Sequence, residues 1–166
     1  MNLFSKFFKK KEKTPKITEI ISPISGTIVD IESVPDEVFS KKIIGDGVAI
    51  QPSGGKIVAP VSGIIGKIFK TMHAFSIVTE NNIEIFVHFG IDTILLKGKG
   101  FKQYAKEKQK VKIGDVILKY DLKFLEKKTK SLLTPIVISN MKHIKKLTKY
   151  SGKVFSGKTK IMSIIK

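Results

Sequence analysis

The sequence predicts an all-β protein, an antiparallel β-sandwich or barrel with a few short helices. From Ile17 onward, short runs rich in Ile and Val are interrupted by Gly or Pro roughly every ten residues, which is typical of such folds. One pattern occurs twice, as PISGTIVDI at 23–31 and as PVSGIIGKI at 60–68. A weaker pair consists of IGDGV at 44–48 and IGDV at 113–116. We therefore expect turns that lead into equivalent strands of a sheet with internal pseudo-symmetry.

The first residues differ in composition from the rest, and we predict a flexible basic segment over 1–16 followed by a single domain over 17–166. Within 1–13, apolar side chains recur at helical spacing and lysines follow at once. Two alternatives fit this pattern, a short amphipathic helix on an anionic membrane surface and a disordered basic tail. In the first, the buried face would comprise Leu3, Phe4, Phe7 and Phe8, and lipid head groups would be met by Lys6, Lys9, Lys10, Lys11 and Lys13.

The later elements include one exposed loop and two helices. Residues 34–40 (VPDEVFS) are predicted as a loop that presents apolar and acidic side chains. Side chains that can cap a helix precede two further segments. The predicted helices are Leu122–Lys130, capped by Asp121, and Met141–Tyr150, capped by Asn140. His143 lies among lysines in the second of these and is assigned no role.

Composition excludes several classes of function. There is no cysteine, hence no disulfide, thiolate nucleophile or Cys-based zinc site. No run is long enough to span a membrane or to serve as a secretory signal, so we expect a cytoplasmic protein. The 31 basic residues are all lysine and the net charge is +17. Without arginine, the usual residue for bidentate phosphate and guanine contacts, we expect no nucleic-acid partner.

The charge is unevenly distributed along the chain. Residues 17–96 carry a net charge of −4, whereas 97–130 and 131–166 each carry +8. Two histidines lie in the net-acidic part, so a basic protein partner is expected to dock around them.

These two histidines are the candidate functional residues. His88 lies between phenylalanines in FVHFGIDT at 86–93, where burial would keep its imidazole neutral and able to act as a nucleophile or metal ligand. The alternative is a core histidine satisfied by one hydrogen bond. If Asn81 and Asn82 form a two-residue hairpin turn, residue 80 faces 83 and His73 is a diagonal neighbour of His88. Residues 73, 75 and 77 would then share a sheet face with 88, 86 and 84.

A phosphate relay needs less than other histidine chemistry. A hydrolytic zinc site usually requires a third protein ligand, and no HExxH motif is present. A serine triad would require a nucleophile elbow, and there is no GxSxG. In a relay, one neutral imidazole attacks phosphorus in line while neighbouring donors hold the phosphoryl oxygens. His73 can supply such a donor and Thr71 can orient it.

The sequence also resembles a known family over nearly its whole length. The runs that carry the resemblance are VPD at 34–36 with VF at 38–39, GDG at 45–47, VAPV at 58–61, GKIF at 66–69, HAFSI at 73–77, FVHFGIDT at 86–93, LTP at 133–135 and ISN at 138–140. Together they closely resemble the glucose-specific IIA component of the bacterial phosphoenolpyruvate-dependent sugar phosphotransferase system.

The resemblance implies a β-sandwich of duplicated hybrid-motif type and a specific chemistry. It implies that His88 is phosphorylated on Nε2, that His73 stabilises the phosphoryl group and that Thr71 belongs to the same network. It implies a histidine-containing phosphocarrier protein as donor and the IIB domain of a sugar permease, phosphorylated on cysteine, as acceptor. In relatives the unphosphorylated protein also regulates other enzymes and permeases. In one such complex the two histidines share a zinc ion with a carboxylate of the partner, which makes His73 and His88 candidate zinc ligands here.

We expect the docking surface to be an apolar patch around the histidines with an acidic edge. Its candidates are Val38, Phe39, Ile43, Phe69, Phe86 and Ile94, with Asp36 and Asp92 at the edge. A second class of function is a non-catalytic binding module with a partner-dependent zinc site or a membrane-surface role. The joint presence of Thr71, His73 and His88 favours the phosphocarrier, because a pure binding module would not need all three.

Overall fold

A computed structural model describes residues 15–166, so the amphipathic pattern predicted over 1–13 lies outside the described residues. The described part contains fourteen strands and two short α-helices. The strands are β1 (Ile17–Ile21), β2 (Gly26–Asp30), β3 (Asp46–Pro52), β4 (Lys56–Val58), β5 (Gly63–Ile68), β6 (Ala74–Val78), β7 (Glu84–His88), β8 (Phe101–Gln103), β9 (Lys110–Val111), β10 (Val116–Tyr120), β11 (Thr134–Ile138), β12 (Lys146–Lys149), β13 (Lys153–Val154) and β14 (Lys160–Ile165). The helices are α1 (Glu37–Ser40) and α2 (Leu122–Lys128).

All strand pairs among these residues are antiparallel, and they form three sheets. The largest has eight strands in the order β13-β2-β3-β11-β7-β6-β5-β9, and two three-stranded sheets have the orders β1-β14-β12 and β4-β10-β8. The outermost strands of the large sheet, β13 and β9, each pair with one described neighbour, so this sheet is open rather than a closed barrel.

The large sheet has a pseudo-twofold arrangement about its central β11–β7 pair. The order β13-β2-β3-β11 on one side is matched by β9-β5-β6-β7 on the other. The stronger sequence repeat falls on equivalent strands, β2 and β5, as predicted. The glycines shared by its two copies are the first residues of these strands rather than turn residues. Each allows the neighbouring strand to approach closely, because a Cβ on Gly26 would lie 2.0 Å from the Gln51 carbonyl oxygen and a Cβ on Gly63 would lie 2.3 Å from the Val78 carbonyl oxygen. The weaker repeat leads into β3 and β10, which lie in different sheets.

One apolar core is shared by all three sheets. It contains Ile20 and Met162 from the β1-β14-β12 sheet, Ile57 and Leu118 from the β4-β10-β8 sheet, and alternate residues of the large sheet such as Ile77. Alternation along each strand sends every second side chain into this core. The remaining side chains of the large sheet are left on its outer face.

A second, smaller cluster covers the outer face at the centre of the large sheet. Val137 of β11 and Ala49 of β3 pack there against Val34 and Phe39, which come from the segment around α1. As a result, β11 is buried on both faces. The predicted loop at 34–40 is therefore wrong in part, because Asp36 accepts a hydrogen bond from the Val38 N–H and caps a helical turn that folds back onto the sheet.

One predicted helix is confirmed with a shift at its end, and the other is wrong. Asp121 caps α2 through the Phe124 N–H, but the helix stops at Lys128 because Thr129 is extended. The oxygen and nitrogen of the Asn140 side chain bond instead to the Glu84 N–H and the Asn82 carbonyl. A single 3-10 turn follows at Met141–His143, and most of the remaining predicted helix is β12, which pairs with β14. None of the helices in residues 15–166 has the length and apolar character needed to cross a membrane.

Candidate functional site

The two histidines lie at one end of the β6–β7 hairpin, whose register differs by one residue from the prediction. His88 is paired with Ala74 and Phe86 with Ser76. The turn contains three residues rather than two, because Thr79 bonds to Ile83 and Asn82 takes the left-handed conformation at φ +58°. Thr79 fixes this turn, since its hydroxyl accepts the Ile83 N–H and donates to the Asn81 side chain.

This register would place His73 on the core face if β6 continued straight, yet its ring meets His88. The strand begins only at Ala74, and the preceding Met72 is left-handed at φ +56°. The chain therefore turns sharply just before His73, which frees its side chain from the alternation of the strand. The two imidazole centroids lie 4.8 Å apart with the rings nearly perpendicular. The predicted convergence is thus present for a different reason from the one predicted.

Three phenylalanines surround the imidazole pair, and we call Phe39, Phe69 and Phe86 the aromatic collar. Phe39 lies 5.0 Å from the His88 ring, Phe69 5.4 Å from the His73 ring, and Phe86 6.1 Å from His88, all between centroids. Phe89, the other phenylalanine beside His88 in sequence, points to the opposite face and packs on Tyr120 in the core. The smaller outer cluster positions Phe39, which is only 3% exposed.

Hydrogen bonds engage Nδ1 of both His73 and His88, which leaves Nε2 of each ring available. Nδ1 of His88 lies 2.8 Å from the Gly90 carbonyl oxygen. A carbonyl only accepts, so this Nδ1 carries the proton and neutral His88 has its lone pair on Nε2. Nδ1 of His73 lies 2.6 Å from the Thr71 hydroxyl, which can donate or accept. Thr71 therefore contacts His73 as predicted.

Both imidazoles favour the neutral form. Burial and, to a smaller extent, the neighbouring His88 lower the pKa of His73 to about 4. Burial also lowers the pKa of His88, although its bond to Gly90 and the carboxylates of Asp36 and Asp92 act in the opposite direction. At pH 7 the pair therefore offers nitrogen lone pairs and N–H donors rather than positive charge.

The predicted docking residues divide into exposed and supporting ones. Val38, Ile43 and Ile94 are exposed, Ile43 most of all at 67%. Phe69 and Phe86 are half-buried, and Phe39 is buried. Asp92 is exposed and Asp36 half-buried. Leu95, which follows Ile94 in sequence and was not among the predicted residues, is 74% exposed.

Comparison with known proteins identifies the family of this chain. The model of the family "phosphoenolpyruvate-dependent sugar phosphotransferase system, EIIA 1" matches residues 18–144. The chain belongs to this family.

Two glucose-specific EIIA relatives match this chain almost end to end. A PTS system glucose-specific EIIA component from Buchnera aphidicola subsp. Acyrthosiphon pisum is 57% identical over 164 residues, covering 99% of both chains. The protein with the same description from Haemophilus influenzae is 55% identical over 166 residues, covering 100% of both. The solved glucose permease IIA from Mycoplasma capricolum has a TM-score of 0.83 and 36% identity, covering 89% of this chain and 96% of that one. This match confirms the predicted antiparallel β fold.

The imidazole pair is the zinc site predicted from the sequence. Residues 15–166 contain no group of three or more His, Cys, Asp or Glu side chains that could hold a metal ion. The predicted zinc ligands are nevertheless of suitable chemistry, because each imidazole has its Nδ1 engaged and its Nε2 available. Any further ligand would have to come from another molecule.

Proposed function

We propose that this chain is a phosphocarrier that accepts a phosphoryl group on Nε2 of His88 and passes it to the IIB domain of a glucose-type permease. The observation that carries the proposal is the imidazole pair, with centroids 4.8 Å apart and both Nδ1 atoms engaged. Family membership and the names of the relatives support the sugar phosphotransferase context and the glucose-type acceptor.

Acceptance of the phosphoryl group requires a nucleophile that already has a free lone pair, so that no general base has to remove a proton. Nε2 of neutral His88 carries a lone pair, because its proton is held on Nδ1 by the Gly90 carbonyl. The lone pair attacks phosphorus in line, and the new N–P bond forms as the bond to the histidine nitrogen of the donor, the histidine-containing phosphocarrier protein, breaks. The donor nitrogen leaves with the electron pair. The aromatic collar excludes water and so slows hydrolysis of the phosphoramidate.

Onward transfer places different demands on the neighbouring His73. A cysteine thiolate of the IIB domain attacks the phosphorus, the N–P bond breaks, and His88 recovers its lone pair. If the Thr71 hydroxyl donates to Nδ1 of His73, then Nε2 of His73 carries a proton that it can donate to a phosphoryl oxygen. This donor stabilises charge as it shifts from one partner to the other. Thr71 acts as a positioning residue, since it contacts only His73 in this network.

The decisive experiment maps the phosphorylated residue. The protein is incubated with phosphoenolpyruvate and the two general phosphotransferase proteins, and acid-labile, base-stable label is followed. We expect label on the wild type and on His143→Gln, a matched control because His143 is exposed and outside the site. We expect none on His88→Gln. Label retained on the His88→Gln protein would overturn the assignment.

We also propose one docking surface for donor and acceptor. Its apolar part would comprise Val38, Ile43 and Ile94, which are exposed, together with the exposed Leu95 beside Ile94 in sequence. Asp36 and Asp92 give its edge a negative charge that suits a basic partner and would mainly raise the association rate. Regulated enzymes or permeases would bind the unphosphorylated protein at the same surface, since the phosphoryl group would otherwise occupy it.

A zinc ion shared with a partner is part of the proposal. Nε2 of His73 and Nε2 of His88 would supply two ligands and the partner a carboxylate. Binding of zinc requires the Nδ1 proton of His73 to point to the Thr71 oxygen, the reverse of the arrangement needed for phosphoryl transfer. Zinc would supply a link between the two proteins. Titration of the free protein with zinc should therefore give weak binding, and His143→Gln should not change it.

Residues 1–13 are proposed to bind anionic membrane. The support is their sequence pattern alone, in which apolar residues at helical spacing are followed by lysines. Each lysine near an anionic surface contributes about 1 kcal/mol, which suffices for reversible binding. A carrier held in this way would meet a membrane-embedded acceptor more often.

A further inference from the structure

Contacts of the turn that follows His88 hold the Gly90 carbonyl in place. That carbonyl determines which nitrogen of His88 carries the proton, because it accepts from Nδ1 at 2.8 Å. A different orientation of the Gly90–Ile91 peptide group would release Nδ1 and allow the proton to move to Nε2. The ring would then lose its lone pair at the proposed point of attack.

The turn that carries this carbonyl is an unusual one. Gly90 has φ +65° and Asp92 has φ +62°, so two residues of the short turn are left-handed. Asp92 is a non-glycine residue, for which this conformation is unfavourable. Contacts from outside the turn are therefore needed to hold it in one shape.

Two contacts fix the turn from either side. The Ile91 N–H donates to the Ser131 carbonyl at 2.8 Å, which holds the far end of the peptide group whose carbonyl meets His88. On the near side, the Thr93 hydroxyl donates to the Phe89 carbonyl at 2.6 Å. Thr93 is completely buried, and its methyl group would lie 2.8 Å from a Cβ built on Gly90.

The same backbone segment also holds the other histidine. The N–H of Phe89 donates to the His73 carbonyl at 2.6 Å. Thr93 thus closes a continuous chain of contacts, from its hydroxyl through the backbone of Phe89 to the main chain of His73. Its methyl group meanwhile packs against Gly90.

We infer that Thr93 is a positioning residue that, through Phe89 and Gly90, keeps the proton of His88 on Nδ1 and its lone pair on Nε2. The inference rests on the proposed function only in assigning a use to that lone pair. Thr93 does not touch the reacting atoms. The sequence signal was weak, since Thr93 ends the FVHFGIDT run without any feature that distinguishes its hydroxyl from a surface one.

The test compares Thr93→Val, which removes the hydroxyl and keeps the shape, with Thr93→Ser, which keeps the hydroxyl. Nitrogen-15 NMR of the imidazoles identifies the tautomer of His88 in unphosphorylated protein, and His88→Gln assigns its signals. We expect the Nδ1–H form to dominate in the wild type. In Thr93→Val the ratio of the two tautomers should shift toward Nε2–H by about fivefold, the factor of one ordinary hydrogen bond. Thr93→Ser should restore most of the wild-type tautomer ratio.

Phosphorylation rates provide the second measurement. The rate of Thr93→Val should fall in proportion to the lost tautomer, and Thr93→Ser should recover it. A folded Thr93→Val protein with the wild-type tautomer would overturn the inference. If Thr93→Val does not fold, the comparison is made between Thr93→Ala and Thr93→Ser, and equal tautomer ratios in those two would overturn it equally. If the wild type accepts no phosphate at all, the proposed function fails, while the tautomer ratios still decide the role of Thr93.

Discussion

Acidification should destabilise the protein through His73. Burial lowers the pKa of this imidazole from the ordinary value of 6.5 to about 4. Between these two values the unfolded chain binds a proton that the folded protein does not, so the free energy of unfolding falls as the pH is lowered through this window. The fall ends below about pH 4. At about 1.4 kcal/mol per pKa unit, the part reached on going from pH 7 to pH 5 is about 2 kcal/mol.

The assay is urea denaturation at pH 7 and pH 5, followed by circular dichroism. His73→Gln cannot titrate, so it should lose about 2 kcal/mol less stability than the wild type over this interval. Carboxylates contribute equally to both proteins and cancel in the difference. His143→Gln removes an exposed imidazole and should behave like the wild type. If His73→Gln and wild type lose the same stability, His73 is not held neutral by burial and the reasoning fails.

Three further predictions concern the proposed transfer and its surroundings. His73→Gln should still accept phosphate but pass it on slowly, and onward transfer at the wild-type rate would remove its role as a donor. Asp36→Lys with Asp92→Lys should slow phosphorylation by the basic donor most strongly at low salt, because charges at the edge of an interface act through steering. In a matched control, the same charge reversals are made at Glu80 and Glu126, two exposed carboxylates that are not among the groups shifting the pKa of His88. If the Asp36 and Asp92 reversals slow phosphorylation no more than this control does, the docking surface lies elsewhere. A chain beginning at Ile17 should accept phosphate normally and lose affinity for anionic vesicles, and vesicle binding that survives would point to the lysine-rich second half instead.

The fold class could be predicted because it depends on patterns that repeat over the whole chain. Short apolar runs and the repeated PxSG pattern locate β2 and β5 on equivalent positions of one sheet. The segment at 141–150 could not be predicted, because its local signals favour a helix and tertiary contacts override them. Asn140 bonds to the β6–β7 turn and its strand, and Leu147 of β12 packs against the core beside β14. Neither contact can be predicted from the residues next to it in the sequence.

The site could be predicted in its members but not in its geometry. Residue types and spacing select His73, His88 and Thr71, and the structure brings all three together. The register was wrong by one residue, because the turn includes Glu80 as well as Asn81 and Asn82. A register error reverses every side chain of a strand, but His73 precedes the strand and is exempt from this rule. The collar residue Phe39 is distant in sequence from both histidines and is placed by burial alone.

Two opposing influences on His88 are both useful to a phosphate relay. Desolvation by burial lowers the pKa of its imidazole and so preserves the lone pair that would accept phosphate in the proposed relay. Asp36 and Asp92 raise the pKa of His88 against this effect, but in the proposed relay the same carboxylates would attract a basic donor. Once a phosphoryl group is attached, they would lie near a group of like charge and would disfavour its retention. A phosphocarrier has to release the phosphoryl group that it accepts. Cationic side chains alone would bind that group too tightly for release, so the neutral imidazole pair with its acidic edge suits a carrier better.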